Sequence, residues 1–444
     1  MRGLIRSVTS LVCGISLAGS GSLCAGAEEW PQWRGPEFTG ISTETGVATS
    51  WSAKKNVAWR TELPGPAGST PCIANGRLFL TTAAGEDLYV MAFDLNGKEL
   101  WRQKAGSGNQ DARVDEGNSA APSPCTDGKH VWAFFGTGIL VCYDRDGKEV
   151  WKFDVQDRYG KIDIQFGMTS TPVLDGDFLY LQLIHGNMRT DYTVGKVVKL
   201  EKKTGKEVWA VDRKADPKAE CKHSYASPFL FEDGGSRSLV THGADCTVGI
   251  ALEDGRELWR LDGLNGPSRF NANYDGTLRF VASPGLSKDA LIIPSAKKGP
   301  VVAIKTPSQI QGNITKSDSD ILWTYERTPD VCCPLIVDGR VYLNMDARFA
   351  SLDVKTGKVI YEGRIHSASY RGSPVYAAGH IYCVARDGVI TVLKAGTDDL
   401  QVVAENTLDE PISASPAITE GMMYLRTYKA LYAIRDGAVT RAAK

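Results

Sequence analysis

Apolar residues in this chain come in short bursts of four to eight, often alternating with polar ones, and turn residues stand between the bursts. Ala290–Ile293, Val301–Ile304 and Ile321–Tyr325 follow one another in this way. Period-two bursts bounded by Gly, Asp and Asn predict strands. The bursts themselves repeat. A small residue, a Pro, a few apolar residues, Asp/Asn-Gly and a strand recur eight times, with the Pro at 71, 124, 172, 228, 284, 334, 374 and 416. A second phrase follows each anchor: a strand, a Gly turn, and a strand ending in an aromatic residue. Asp94–Trp101, Asp144–Trp151, Thr204–Trp209 and Asp254–Trp259 are close copies. Ile321-Leu322-Trp323 lacks the Gly turn, Thr356–Tyr361 ends in Tyr, and the copy near Val403 has lost the aromatic.

Four strands in every 40 to 56 residues predict a β-propeller, in which each four-stranded sheet covers the faces of its neighbours. The recurrent Trp is then a plate between adjacent blades. Asn56–Trp59 looks like a final strand with no anchor before it, and the unit from Pro416 to Ile434 lacks its last strand. The N-terminal strand therefore completes the last blade and closes the ring. The expected fold is all-β, an eight-bladed propeller of antiparallel four-stranded blades. Seven blades is the second choice, because the last two units are the most degenerate. The expected division is a signal peptide over 1–27, an extension over 28–56, the propeller over 57–436 and a tail over 437–444.

Composition narrows the function. With 51 Lys+Arg against 52 Asp+Glu, the chain offers no basic field for nucleic acid. The 46 Gly are mostly hairpin turns. They are not phosphate loops, because no helix follows them. Arg2 and Arg6, a short apolar run and Ala25-Gly26-Ala27 read as a secretory signal. This implies export to a periplasm or the exterior, with no transmembrane segment. Cys24 raises lipidation, but Leu23 occupies a place where a small residue is expected. Export makes disulfides an issue for the eight remaining cysteines. Cys221 and Cys246 fall in two loops of the fourth unit that share a face, which makes them a candidate pair for a bridge. Cys72 and Cys125 follow successive anchors and form a weaker candidate pair. Cys332-Cys333 are adjacent.

The Ser-x-Pro anchor and Gly-Lys-x-x-Trp strand resemble the pyrroloquinoline-quinone repeat. They are similar to quinoprotein alcohol dehydrogenases and to the propeller subunit of the outer-membrane barrel-assembly machine. The opening Trp30-Pro31-Gln32-Trp33-Arg34-Gly35-Pro36 and the closing Glu410–Pro416 look like exported members of that superfamily. The resemblance covers about residues 28–436. It implies two functions. One is a binding or scaffold module without catalysis or cofactor. The other is a quinone- and Ca²⁺-dependent oxidoreductase whose adjacent cysteines form a disulfide. Cys332-Cys333 match that pair in kind, but they lie in the sixth unit instead of an early one. No Cys-x-x-Cys-His is present for haem, and no spaced acid/Asn set suggests a metal.

In a propeller, the links between blades and the loops between second and third strands gather on one face around the axis. The candidate binding residues on that face are Gln165, His185, Asn187, Arg189, Lys222, His223, Tyr225, His242, Asp245, Arg348 and Arg371. The expected partner is a protein or carbohydrate, with the chain a monomer or part of a complex. The loop His, Lys and Tyr residues also admit a lyase or hydrolase. The ordinary explanation of each is a solvated, capping or turn residue.

Overall fold

The computed structural model describes residues 29–52, 55–113 and 117–438. The expected leader, with Cys24, lies outside them. The described residues form eight blades arranged as a ring, each with four antiparallel strands and one with a fifth strand added, together with a small two-stranded sheet. Blades 1 to 7 occupy residues 72–107, 125–154, 173–212, 229–262, 285–325, 335–364 and 375–407. Within each, strands run in chain order from the axis outward. Blade 8 consists of Ala417–Thr419, Met422–Arg426 and Ala430–Ile434, and its outer strand is Val57–Glu62 from the other end of the chain. The ring therefore has eight blades and closes as expected.

One bulge explains the Trp phrase. In all eight blades the outer strand slips by one residue against the third strand, at the residue before the aromatic position. A bulge bends the strand and re-aims its side chains. Leu100, Val150, Val208 and Leu322 are turned outward and exposed. The following Trp is aimed at the next blade. There the indole lies against the Gly of the next third-to-fourth-strand turn, whose φ is positive and whose missing Cβ leaves the space. At Gly357, a Cβ would stand 2.5 Å from the ring of Trp323. The indole Nε1 donates to a backbone carbonyl of the same turn: Trp59 to Leu95, Trp101 to Arg145, Trp151 to Lys202 and Trp323 to Val354, each at 2.9 Å. Trp259 faces blade 5, the one without the Gly turn. A loop from blade 5 pairs Gly312-Asn313 with Trp259-Arg260 as a fifth strand on blade 4.

The anchors form a girdle around the axis. At seven of the eight joints the residue before the Pro sends its side chain to the backbone N–H of its neighbour in the preceding blade; Thr171 Oγ1 instead donates to Ser227 Oγ at 3.1 Å. Thr70 N donates to Ser123 Oγ, Thr171 N to Ser227 Oγ, Ser227 N to Ser283 Oγ and Cys333 N to Ser373 Oγ. Ser373 N donates to Ser415 Oγ and Ser415 N to Thr70 Oγ1, all at 2.8 to 3.1 Å. Ser283 N donates to Cys333 Sγ at 3.2 Å, so a thiol stands where the other blades use a hydroxyl. These amides lie just before the innermost strands, outside the sheets, and the girdle satisfies them.

The extension is not a free arm. Residues 29–44 cross one end of the axis as a plug. Trp30 exchanges two backbone hydrogen bonds with Ile73 of blade 1, Pro31 O accepts from Thr126 of blade 2, and Gln32 Oε1 accepts from Leu174 N of blade 3. The chain then turns through Arg34–Gly40. Arg34 Nη2 donates to Pro334 O of blade 6, Gly40 O accepts from Tyr376 N of blade 7, and the Glu44 carboxylate accepts from Glu420 N and Gly421 N of blade 8. Trp30 is fully buried.

Candidate functional site

The opposite end of the axis is open. There the eight inter-blade links surround a funnel of about 180 Å³. Its construction follows a simple register. The residue three before each anchor Pro lines the wall: Gly68, Ala121, Thr169, Tyr225, Val281, Val331, Arg371 and Ser413. The girdle forms the neck, and Trp33 of the plug closes the floor. Every blade thus contributes one residue at the same register. The girdle is nearly uniform, while the wall varies from Gly to Arg.

The wall is chemically lopsided. Phe166 and Tyr225 stand together, ring centroids 6.1 Å apart, and Phe166 N donates to the Tyr225 hydroxyl. Arg279 stacks its guanidinium 4.7 Å from the Phe166 ring and pairs with Glu220 at 3.0 Å. Arg371 enters from the link between blades 6 and 7. Asp330 is the one carboxylate of the lining. Its Oδ2 meets Lys297 Nζ at 3.3 Å, and its buried Oδ1 has no partner among the described residues. The lining can therefore receive a flat apolar group beside Phe166 and Tyr225 and an anionic group beside Arg371.

Of the residues expected on this face, the funnel brings together Tyr225 and Arg371. The three histidines are interior, not loop, groups. His185 and His242 lie on second strands of blades 3 and 4, His223 in the link between these blades, and each is about 1% exposed. His223 Nε2 contacts Gly186 O at 2.8 Å, and His242 Nδ1 contacts Thr247 Oγ1 at 2.8 Å. Burial lowers the His185 pKa to about 4, helped by His223, and that of His242 to about 3. All three are neutral at pH 7. Lys222 is buried with its Nζ donating to Asn187 O and Thr190 O. Asn187 holds its own turn by accepting from Arg189 N and Thr190 N. Asp245 is a positive-φ hairpin residue that accepts from Asn265 N, and burial raises its pKa to about 6. Gln165, Arg189 and Arg348 are exposed away from the lining. Reading from the anchors would have found the wall. Trp33 carries no anchor signal, and Phe166, Arg279 and Asp330 sit four to six residues before the Pro, where the links differ in path.

The candidate Cys221–Cys246 bridge is not formed. All eight cysteines among the described residues are free and buried. Cys221 packs toward blade 5 and Cys246 toward blade 3. Burial pushes the Cys221 thiol up to about 12, which leaves it inert. Cys72 and Cys125 are likewise separate. Cys332 and Cys333 are not bonded to each other: Cys333 serves the girdle, and Cys332 Sγ faces Gly372 O in the core between blades 6 and 7.

A closed ring of bulged four-stranded blades around a funnel defines an eight-bladed β-propeller. The model of one family, described as outer membrane protein assembly factor BamB, matches residues 38–189, 136–319 and 194–371, and the chain belongs to that family. No curated protein matches it in sequence. Among solved structures it is similar to BamB from Moraxella catarrhalis, with 13% identity and a TM-score of 0.61 over 86% of this chain and 98% of that one. A europium-containing methanol dehydrogenase shares 13% identity and a TM-score of 0.67 over 91% and 90% of the two chains. The quinohemoprotein alcohol dehydrogenase from Comamonas testosteroni shares 12% and 0.52 over 94% and 82%. At these identities the likeness is one of fold.

The residues present do not supply the Ca²⁺ half of the quinone–Ca²⁺ pair implied by the dehydrogenase branch. Ca²⁺ takes six to eight oxygen ligands. The lining offers one carboxylate between Arg279 and Arg371, and no group of three or more His, Cys, Asp or Glu converges among the described residues. Cys332-Cys333 face the girdle and the core, so they do not form a ceiling over the funnel.

Proposed function

We propose that the protein is an exported binding module and that the axial funnel is its recognition site. The observation that carries this reading is the wall register. Eight equivalent positions converge on one opening, and only their side chains differ, which is how a repeat scaffold builds a specific site. The ligand is a small molecule or a protruding side chain of a protein partner that joins an anion to a flat apolar body. Family membership supports a protein partner in the cell envelope. No helix among the described residues is long and apolar enough to cross a membrane.

Aromatic carboxylates such as 4-hydroxybenzoate and phenylacetate test the site, with binding read by calorimetry. Saturable binding is expected, and Arg371→Ala should weaken it about tenfold, the scale of one lost charge-assisted hydrogen bond. Binding that is absent, or that survives Arg371→Ala unchanged, sinks the assignment. The oxidoreductase reading is tested by adding the quinone, CaCl₂ and a dye acceptor. Turnover there would replace the binding-module reading.

A further inference from the structure

The plug treats the blades unequally. The peptide group two residues after each anchor Pro faces the axis at the plugged end. In blades 1, 2, 3 and 7 these are Ile73, Thr126, Leu174 and Tyr376, and the plug accepts a hydrogen bond from each. In blades 4, 5, 6 and 8 the equivalents are Leu230, Leu286, Ile336 and Ile418, which make no hydrogen bond with the plug; Ile336 and Ile418 are buried, while Leu230 and Leu286 line an open groove. The hairpin closed by Asp233 and Ser236 puts Leu230 opposite Leu239 in a pair that exchanges no hydrogen bonds within the sheet. The turn closed by Ser287 N and Ala290 O does the same for Leu286 opposite Leu291. Both peptide groups therefore point toward the axis, and the plug passes them by, turning at Pro36–Thr39 from blade 3 to blade 6. No described residue pairs with either.

A groove of about 490 Å³ lies between that turn and the first hairpins of blades 3 to 5. Its floor is apolar: Phe38, Leu174, Leu230, Phe231 and Leu286. Its rim holds the carboxylates of Glu37, Asp175, Glu232 and Asp233 against the cations of Arg237 and Lys288. Arg237 is already spent on Asp175 at 2.7 Å and Glu232 at 2.9 Å.

We infer that this groove receives an extended segment of a partner polypeptide, with alternating apolar and basic residues, that pairs its backbone with Leu230 and Leu286. Strand addition to a free edge takes its affinity from main-chain hydrogen bonds and its selectivity from alternate side chains. The chain supplies the template for the occupant. Trp30 pairs with blade 1 antiparallel and Ile41 with blade 7 parallel, so extended backbone fits this inner edge in either direction. The acidic rim selects the basic partner. The groove lies at the opposite end of the axis from the funnel, and the two sites can be occupied together.

The probe is a capped octapeptide of alternating Val and Lys, added to the mature full chain. Saturable binding is expected, together with slower hydrogen exchange at Leu230 and Leu286, by about fivefold or more, since these amides have no partner among the described residues. A Val/Glu octapeptide should bind about tenfold more weakly against the acidic rim. Glu37→Lys, on an exposed turn, should weaken the Val/Lys peptide without lowering the unfolding midpoint. Leu286→Pro removes an N–H that the sheet does not use, and it should also weaken binding. Three results each overturn the inference: no binding by the intact protein, protection at the Tyr225 and Arg371 segments instead of at Leu230 and Leu286, or binding unaltered in a folded Glu37→Lys chain.

Discussion

The two ends of the propeller axis are closed by different physics. At the plugged end, residues 29–44 bring the fully buried Trp30 and hydrogen bonds to six blades, through backbone to blades 1, 2 and 7 and through the Gln32, Arg34 and Glu44 side chains to blades 3, 6 and 8. At the open end, the links are held by buried polar side chains. Arg426 donates to Ser69 Oγ, Thr81 O, Gly65 O and Thr82 Oγ1 between blades 8 and 1. Arg213 donates to Thr241 Oγ1, Gly243 O and Cys246 O between blades 3 and 4. Glu410 accepts from Arg60, Tyr432 and Thr427, which ties the N-terminal strand to the last blade. The plugged end is a cross-brace of one continuous segment. The open end is a set of separate joints, which leaves its centre free for a ligand.

The cross-brace should carry the largest single effect. Trp30→Ala removes a buried indole that packs on Gly35 and is expected to cost about 3–5 kcal/mol, the range for large aromatic truncations in cores. Urea unfolding measures it. A loss under about 1 kcal/mol would mean that the plug decorates a ring already stable without it, and the contrast between the two ends would fail.

Much of this was legible because the repeat dictates it. Blade number, ring closure by Asn56–Trp59 and the Trp wedge follow from the spacing of Pro and Trp. The plug was not legible. Trp30–Pro36 has no period, and its blade partners lie 43 to 300 residues away in sequence, as Ile73 and Pro334 do. The histidines misled for a related reason. His185, His223 and His242 lie near loops in sequence, but the long second strands of blades 3 and 4 carry His185 and His242 into the interior. The cysteines misled through compartment. Export argues for disulfides, while a closed ring with large cores can bury eight thiols apart.

Acid should loosen the open end before the plugged one. His185 and His242 keep folded pKa values of about 4 and about 3 against about 6.5 when unfolded. Their depressed values mean that stability is full above about pH 6.5 and is lost as pH falls toward the folded values. Glu410 adds a lower window. Burial pushes its carboxyl up, but the hydrogen bonds from Thr427, Arg60 and Tyr432 outweigh burial and hold it below the usual range. Its contribution is present above the unfolded value of about 4.3 and is lost as pH falls through the folded one. Glu410→Gln should therefore cost about 2 kcal/mol at pH 7, as for hydrogen bonds to a charged group. The cost should shrink below about pH 4. Thermal melts from pH 7 to pH 3.5 measure both. A Glu410→Gln deficit that is constant across that range would remove the carboxylate from the joint.

The girdle divides the two ends and offers the finest test. Ser373→Ala leaves the buried Cys333 N–H without its acceptor and should cost about 1–3 kcal/mol, the penalty of one orphaned buried donor. Cys333→Ser keeps an acceptor for Ser283 N, and a hydroxyl accepts better than a thiol. Its effect on stability should stay within about 0.5 kcal/mol. Seven of the eight anchor positions already carry Ser or Thr, so this change makes blade 6 conform to them. Urea midpoints of the two variants decide the matter. If Cys333→Ser costs as much as Ser373→Ala, the thiol has a role the ring does not explain, and the funnel neck, which it lines, is where that role would act.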